Sequence, residues 1–228
     1  MLHRHSIRLK GYDYTNPGSY FITICSLNRE AIFGHIVDQR IVLNCWGIIV
    51  SEEWSRTFNM RPGLRSEAFI IMPNHVHGII TIMGNTKIKH ANPKPTAILT
   101  ESADAGRRGM VHPCRGTVHR APTMSNGMEF EPLPENPDVQ FSPLSPHKFG
   151  KHAEQFGKPI SGSIPTIIRF FKSAVTKRIN ELPGASGIKV WQRNYYEHII
   201  RTETALNQIS KYINENPLKW PTDPFYSG

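Results

Sequence analysis

The chain has 228 residues (25.9 kDa), 39% hydrophobic and 20% charged, with a mean hydropathy of -0.38; that apolar content supports one packed core and excludes wholesale disorder. No apolar run reaches the roughly 18–20 residues that a bilayer crossing needs, and the N-terminus lacks an apolar signal segment. The cysteines (Cys25, Cys45 and Cys114) are three in number without C-x-x-C spacing, so a reducing, cytoplasmic setting is expected rather than a disulfide framework or zinc knuckle. An excess of 27 Lys and Arg over 18 Asp and Glu gives a net charge of +9, a surface that attracts polyanions, nucleic acid foremost among them.

In chain order, a basic arm (Arg4, Arg8, Lys10) leads to a turn at Asn16-Pro-Gly18. Tyr20-Phe-Ile-Thr-Ile-Cys-Ser26, β-branched and aromatic, then reads as a buried strand. From about Leu43 to Phe58 the apolar stripe Ile49, Trp54, Phe58 predicts a helix, with Asn44 as N-cap and Gly63, after Pro62, as its stop. Ala68–Met72 and Val76–Ile82 read as two strands around a tight turn at Pro73-Asn74-His75. Ten of the 18 prolines fall between Gly84 and Gly162 without apolar periodicity. Such a stretch cannot bury enough surface to offset its ordering entropy, so residues 84–159 are expected to be a long irregular insertion.

After the insertion, Ser163 caps an amphipathic helix with Pro165 in its first turn. Ile164, Ile167, Ile168, Phe171, Val175, Ile179 and Leu182 recur at helical spacing, and Pro183-Gly184 ends the run. Lys189–Ile200 reads as a strand, and Thr202–Asn216 as a last helix stopped by Pro217. The order β-α-β-β-α-β plus a terminal helix matches a ferredoxin-like split βαβ: an α+β fold with an antiparallel sheet and helices on one face. One domain is expected from residues 1–83 and 160–220, with 221–228 as a tail.

His75-Val76-His77 places two imidazoles on the same face of a strand, while Val76 turns to the other. Two neutral imidazoles suit a divalent metal, although two half-buried, hydrogen-bonded histidines give the same pattern. Tyr212 and Asn216, four apart, share a helical face. By themselves they read more readily as a packed ring and a C-terminal cap.

Taken in order, Pro73-Asn-His-Val-His-Gly78, Ile164-Pro-Thr-Ile-Ile-Arg169, Val190-Trp-Gln-Arg-Asn-Tyr195 and Tyr212-Ile-Asn-Glu-Asn-Pro217 resemble the single-tyrosine HUH transposases, and within them the REP-associated tyrosine transposase branch. Ile7-Arg-Leu-Lys-Gly-Tyr-Asp-Tyr14 and Gly18-Ser-Tyr-Phe-Ile-Thr23 extend the resemblance, which covers residues 4–83 and 160–219. It implies that His75 and His77 are metal ligands, that Tyr212 is the nucleophile, and that Asn216 is the third ligand, standing where insertion-sequence transposases usually have Gln. Tyr195 and Tyr196, on a strand and without an amide one helical turn away, compete less well for the nucleophile role; His198 reads as a packing or surface residue.

The implied activity is metal-dependent cleavage and rejoining of single-stranded DNA at palindromic hairpins through a 5′-phosphotyrosine, with Mg²⁺ or Mn²⁺ as cofactor. Nothing in the sequence resembles a Walker P-loop, so no nucleotide cofactor is expected. Hairpin or single-stranded DNA is the expected partner of a monomer or homodimer, with no membrane. Phosphate contacts are expected from Arg4, Arg8, Lys10, Arg169, Lys172, Lys177, Arg178 and Arg193, and base stacking from Tyr12 and Tyr14. A hydrolytic metal-dependent nuclease and a non-catalytic binder of structured DNA are the alternatives.

Overall fold

The computed structural model describes residues 11–84, 99–100, 160–223 and 225–226. β1 (Gly18–Cys25) is followed by the hairpin β2 (Gly34–Val37) and β3 (Arg40–Leu43), then α1 (Cys45–Asn59), β4 (Leu64–Ile71) and β5 (His75–Ile82). The short β6 (Leu99–Thr100) precedes α2 (Ile164–Asn180), β7 (Tyr196–Ile200) and α3 (Glu203–Glu215). The main sheet has the order β4-β5-β1-β7 with every pair antiparallel, the spatial order of a split βαβ.

Strand alternation sorts the side chains into two layers. Tyr20, Ile22 and Ile24 of β1, with Val76 and Ile80 of β5, join the core formed with α1 and α2. Phe21 and Ile79 point the other way, into a smaller cluster with Ile200, Ile209 and Ile213. The expectation of helices on one face therefore holds for α1 and α2, while the terminal helix covers the opposite face. The reason is in the sequence of α3: Ile209 and Ile213, with Ala205, Leu206 and Tyr212 beside them, form one apolar face that caps the short apolar patch around Phe21 and Ile79.

The helix caps match their sequence signals. Asn44 Oδ1 accepts from the N–H groups of Trp46 and Gly47 at 3.0 Å each. Ser163 Oγ accepts from Thr166 N–H, with Pro165 in the first turn, where its missing N–H costs nothing. Pro217 does not stop the chain: it sits in the first turn of a 3₁₀ helix, Asn216–Thr222, that continues directly from α3.

Three features differ from the sequence reading. The β2–β3 hairpin turns at Asp38 and Gln39, both at positive φ (48° and 62°), a two-residue turn made without glycine. β6, within the expected insertion, pairs in parallel with β3 (Val42 opposite Leu99); the rest of 84–159, save Gly84, lies outside the described residues. The strand expected from Lys189 begins only at Tyr196. Lys172 Nζ donates to the carbonyls of Gln192 (2.5 Å), Arg193 (3.4 Å) and Asn194 (3.3 Å). Three successive carbonyls converging on one ammonium cannot alternate as a strand requires, so the segment is bent out and joins the sheet end through a single Trp191–Ser26 bridge.

No described helix is long and apolar enough to cross a membrane.

Gly78, next to the histidine pair, has a packing reason. It faces the α1 layer, where the Trp54 ring stacks on Phe69 at 4.1 Å and donates its indole N–H to Ser66 Oγ at 3.0 Å. A Cβ at Gly78 would lie 2.5 and 2.7 Å from Trp54 ring atoms. Gly78→Ala should therefore cost about 1–3 kcal/mol through overpacking. Urea unfolding checks this: a lower midpoint at unchanged slope is expected, and an unshifted midpoint would contradict the packing account.

Candidate active site

β5 lies between β4 and β1, hydrogen-bonded on both sides. At its first turn of the pleat, His75 pairs with Cys25 and His77 with Thr23. Both imidazoles point to the α3 face and both are fully buried (0% exposed). Their Nε2 atoms are 3.0 Å apart. Each ring is also held from behind: His77 Nδ1 lies 2.8 Å from Thr23 Oγ1, and His75 Nδ1 lies 2.8 Å from Asn74 Oδ1. Phe21 stacks on His77, and Phe225 lies against His75 at a ring separation of 4.6 Å.

Tyr212 projects from the last turn of α3 with its hydroxyl 3.5 Å from His77 Nε2. Its ring is wedged edge-on against Phe21. One turn on, at the start of the 3₁₀ helix, Asn216 is 2% exposed, and its Oδ1 is buried with no hydrogen-bond partner among the described residues. Its amide side chain bonds to both Tyr212 and Asp223. Asp223, buried at the end of the 3₁₀ helix, brings a carboxylate into the group: the donor atoms of His75, His77 and Asp223 all lie within 4.8 Å of one another.

Burial dominates the electrostatics. It holds His75 well below the usual imidazole value, helped by His77 and Arg29, and takes His77 down to about 3. Both rings are therefore neutral, with lone pairs to offer. Tyr212 is pushed up to about 12 by burial and by the Asp223 charge, against a lowering hydrogen bond from Asn216. Burial also raises Asp223, opposed by the Phe225 N–H (2.7 Å), Asn216 and Arg29.

A divalent cation fits these donors. Two neutral imidazoles, an orphaned amide oxygen and a buried carboxylate are a mixed nitrogen and oxygen set of the kind that holds a divalent metal ion. The orphaned Asn216 Oδ1 is the telling atom, because a buried acceptor left unpaired costs about 1–3 kcal/mol.

The sequence-predicted site residues divide clearly. His75, His77, Tyr212 and Asn216 come together. Arg4, Arg8 and Lys10 lie outside the described residues. Lys172 is half-buried, with its ammonium donating to the 192–194 carbonyls and taken down to about 8 by burial. Arg178 is bonded to Glu52 (2.5 Å) and Glu53 (3.0 Å), which ties α2 to α1. Arg169, Lys177 and Arg193 are exposed, Lys177 only 3.9 Å from Glu181, a contact too weak to occupy it. Tyr14 is buried in the core and the Tyr12 hydroxyl lies 3.3 Å from that of Tyr20, so these rings pack rather than present a free stacking face. Of the competing tyrosines, Tyr195 is buried in the α1–α2 layer, whereas Tyr196 packs beside Phe21 on the α3 face. Sequence reasoning missed Asp223 and gave Thr23 and Asn74 no role. The only signal for Asp223 was its place among Trp220, Pro221 and Phe225, an aromatic and proline-rich run able to fold back onto the sheet.

No family model matches the chain. An uncharacterized protein of Haemophilus influenzae is 35% identical over 224 residues, covering 98% of this chain and 93% of that one. In structure the chain is similar to a REP-associated tyrosine transposase solved bound to a REP hairpin: 15% identity and a TM-score of 0.45, over 96% of this chain and 74% of that one. It is also similar to a Deinococcus radiodurans R1 protein described as a candidate transposase: 14% identity and a TM-score of 0.32, over 91% and 95% of the two chains. At these TM-scores the likenesses stand as observations, and the geometry of the site carries the chemistry.

The depressed histidines have a measurable consequence. Their folded values lie below the 6.5 of an ordinary imidazole, so the unfolded chain binds more protons once the pH drops below that value. Their contribution is fully present above about pH 6.5 and is lost progressively as pH falls towards the folded values, by up to about 1.4 kcal/mol per pH unit for each ring. Thermal melts of chelator-treated protein between about pH 6.5 and 5 should show this decline, with a clearly shallower slope in His77→Gln. An unchanged slope in that variant would mean that His77 is not held neutral by burial.

Proposed function

This chain belongs to one family with the uncharacterized Haemophilus influenzae protein, and we propose that it is a single-tyrosine HUH transposase of the REP-associated kind. It cleaves and rejoins single-stranded DNA at hairpin elements. The observation that carries this reading is the Tyr212 hydroxyl 3.5 Å from His77 Nε2, beside a buried amide oxygen with no partner among the described residues. A tyrosine that merely packed would have no reason to meet two neutral imidazoles and a carboxylate at one point. The net charge of +9, with exposed Arg169, Lys177 and Arg193, supports a polyanionic substrate.

His75, His77, Asn216 and Asp223 would hold the divalent cation, which when bound supplies positive charge against a non-bridging phosphate oxygen and the developing phenolate. The chain's own residues do the rest. Phe21 and the turn of α3 hold the Tyr212 ring at the edge of the pair, so its oxygen is presented in one direction. That oxygen attacks the scissile phosphorus and gives up its proton to solvent. A Tyr212 O–P bond forms to the 5′ phosphate; the bond to the 3′ oxygen breaks, and that oxygen takes a proton to leave as a 3′-OH. Because one phosphodiester replaces another, a second 3′-OH can displace Tyr212 and rejoin strands without a nucleotide cofactor.

Without a cation the phenol at about 12 is almost wholly protonated at neutral pH, so chelation should stop cleavage and Mg²⁺ or Mn²⁺ should restore it. Tyr212→Phe should reduce the covalent protein–DNA adduct on a labelled hairpin by at least about a thousandfold while leaving hairpin binding nearly unchanged. Denaturing gels after protease treatment read the adduct directly. Cleavage with both ends free and no adduct in the wild type would assign a hydrolytic nuclease instead.

A further inference from the structure

The hydrogen bonds behind the two histidines fix where their protons sit. Asn74 is fully buried, and its Nδ2 donates to the carbonyls of Arg29 (3.0 Å) and Phe225 (2.6 Å). Two carbonyl acceptors on one side settle which end of the amide is nitrogen. The oxygen end therefore faces His75 Nδ1 at 2.8 Å. An amide oxygen only accepts, so His75 carries its proton on Nδ1 and a lone pair on Nε2. That lone pair points at His77 Nε2, 3.0 Å away. Two lone pairs at this distance repel, so in the metal-free site His77 carries its proton on Nε2 and donates it to His75. Its own Nδ1 is then an acceptor for the Thr23 hydroxyl at 2.8 Å.

A cation bound by both rings needs both Nε2 lone pairs. His75 already presents one; His77 does not. Resting on the metal-site reading above, we propose that the pair is a tautomer switch: Asn74 locks His75 permanently as a ligand, and Thr23 lets His77 change from Nε2–H to Nδ1–H as the cation enters. The two partners differ in the property that matters. The Asn74 oxygen cannot become a donor, and both its N–H groups are engaged with carbonyls. A threonine hydroxyl both donates and accepts, so it turns from donor towards His77 to acceptor from it. The proton count of the pair is unchanged: one proton leaves Nε2, one arrives at Nδ1, and both rings remain neutral throughout. Asn74 and Thr23 are thus positioning residues, and only one of the two ligands has to be remade on binding. The hydrogen bond between the rings that must be broken also keeps the metal-free pair from facing each other with two unsatisfied lone pairs.

Two-bond ¹H–¹⁵N spectra of the histidine-labelled full chain, recorded after chelation and again with Zn²⁺ as a diamagnetic probe, report the tautomer of each ring without any turnover. The metal-free spectrum should show His75 as Nδ1–H and His77 as Nε2–H; with Zn²⁺, His77 should become Nδ1–H while His75 keeps its form. Thr23→Val, which removes the acceptor for the new N–H, should weaken Zn²⁺ binding by about 10- to 100-fold, with the metal-free tautomers retained. Thr23→Ser should restore the affinity. Identical tautomers in the metal-free rings, or equal Zn²⁺ affinity for wild type and Thr23→Val, would overturn the switch. If Zn²⁺ leaves the wild-type spectrum unchanged, the metal-site reading itself fails and takes the switch with it; the lock on His75 is then judged by the metal-free spectrum alone.

Discussion

Alternation along one strand is the constraint from which the site follows. β5 is hydrogen-bonded on both sides, so it cannot slip, and a shift of one residue would turn every side chain over. Val76 and Ile80 are required in the α1–α2 core, which commits His75 and His77 to the opposite face. There they meet Thr23 across the register, the Phe21 ring beside them and the end of α3 above. Even Gly78 belongs to this constraint, because the core side of the strand must make room for Trp54.

The polar groups gathered on that face would be a poor way to stabilise a fold. Two imidazoles are buried where they cannot charge, a phenol is pushed to about 12, a carboxylate is raised by burial, and an amide oxygen has no partner among the described residues. Each costs free energy on its own. A single positive charge placed among them would offset the burial of the carboxylate, the phenol and the amide oxygen together. The cluster is therefore better explained as a receptor for a cation than as a packing solution.

Much of this was legible in the chain. The caps Asn44 and Ser163, the stripe from Ile164 to Ile179 and the β-branched runs around Tyr20 and Ile79 announced their elements, because local propensity and burial agree there. The pairing of His75 with His77 follows from a spacing of two, and that of Tyr212 with Asn216 from a spacing of four. What escaped depends on tertiary contact. The hairpin turn at Asp38 and Gln39 carries no glycine to mark it. Lys172 looks like any surface lysine until three carbonyls of a distant segment close on it. Asp223 enters through the fold of a seven-residue 3₁₀ helix that no periodicity foretells. The role of Asn74 needed both carbonyls on its nitrogen, one of them 151 residues away.

The most direct measurement of the central claim is the anomalous scattering from a crystal of the full chain soaked with Mn²⁺. The account requires a single strong peak bonded to Nε2 of both His75 and His77 and facing Asn216 Oδ1, with the Tyr212 hydroxyl beside it. Manganese found only elsewhere, with the two imidazoles still hydrogen-bonded to each other, would contradict it.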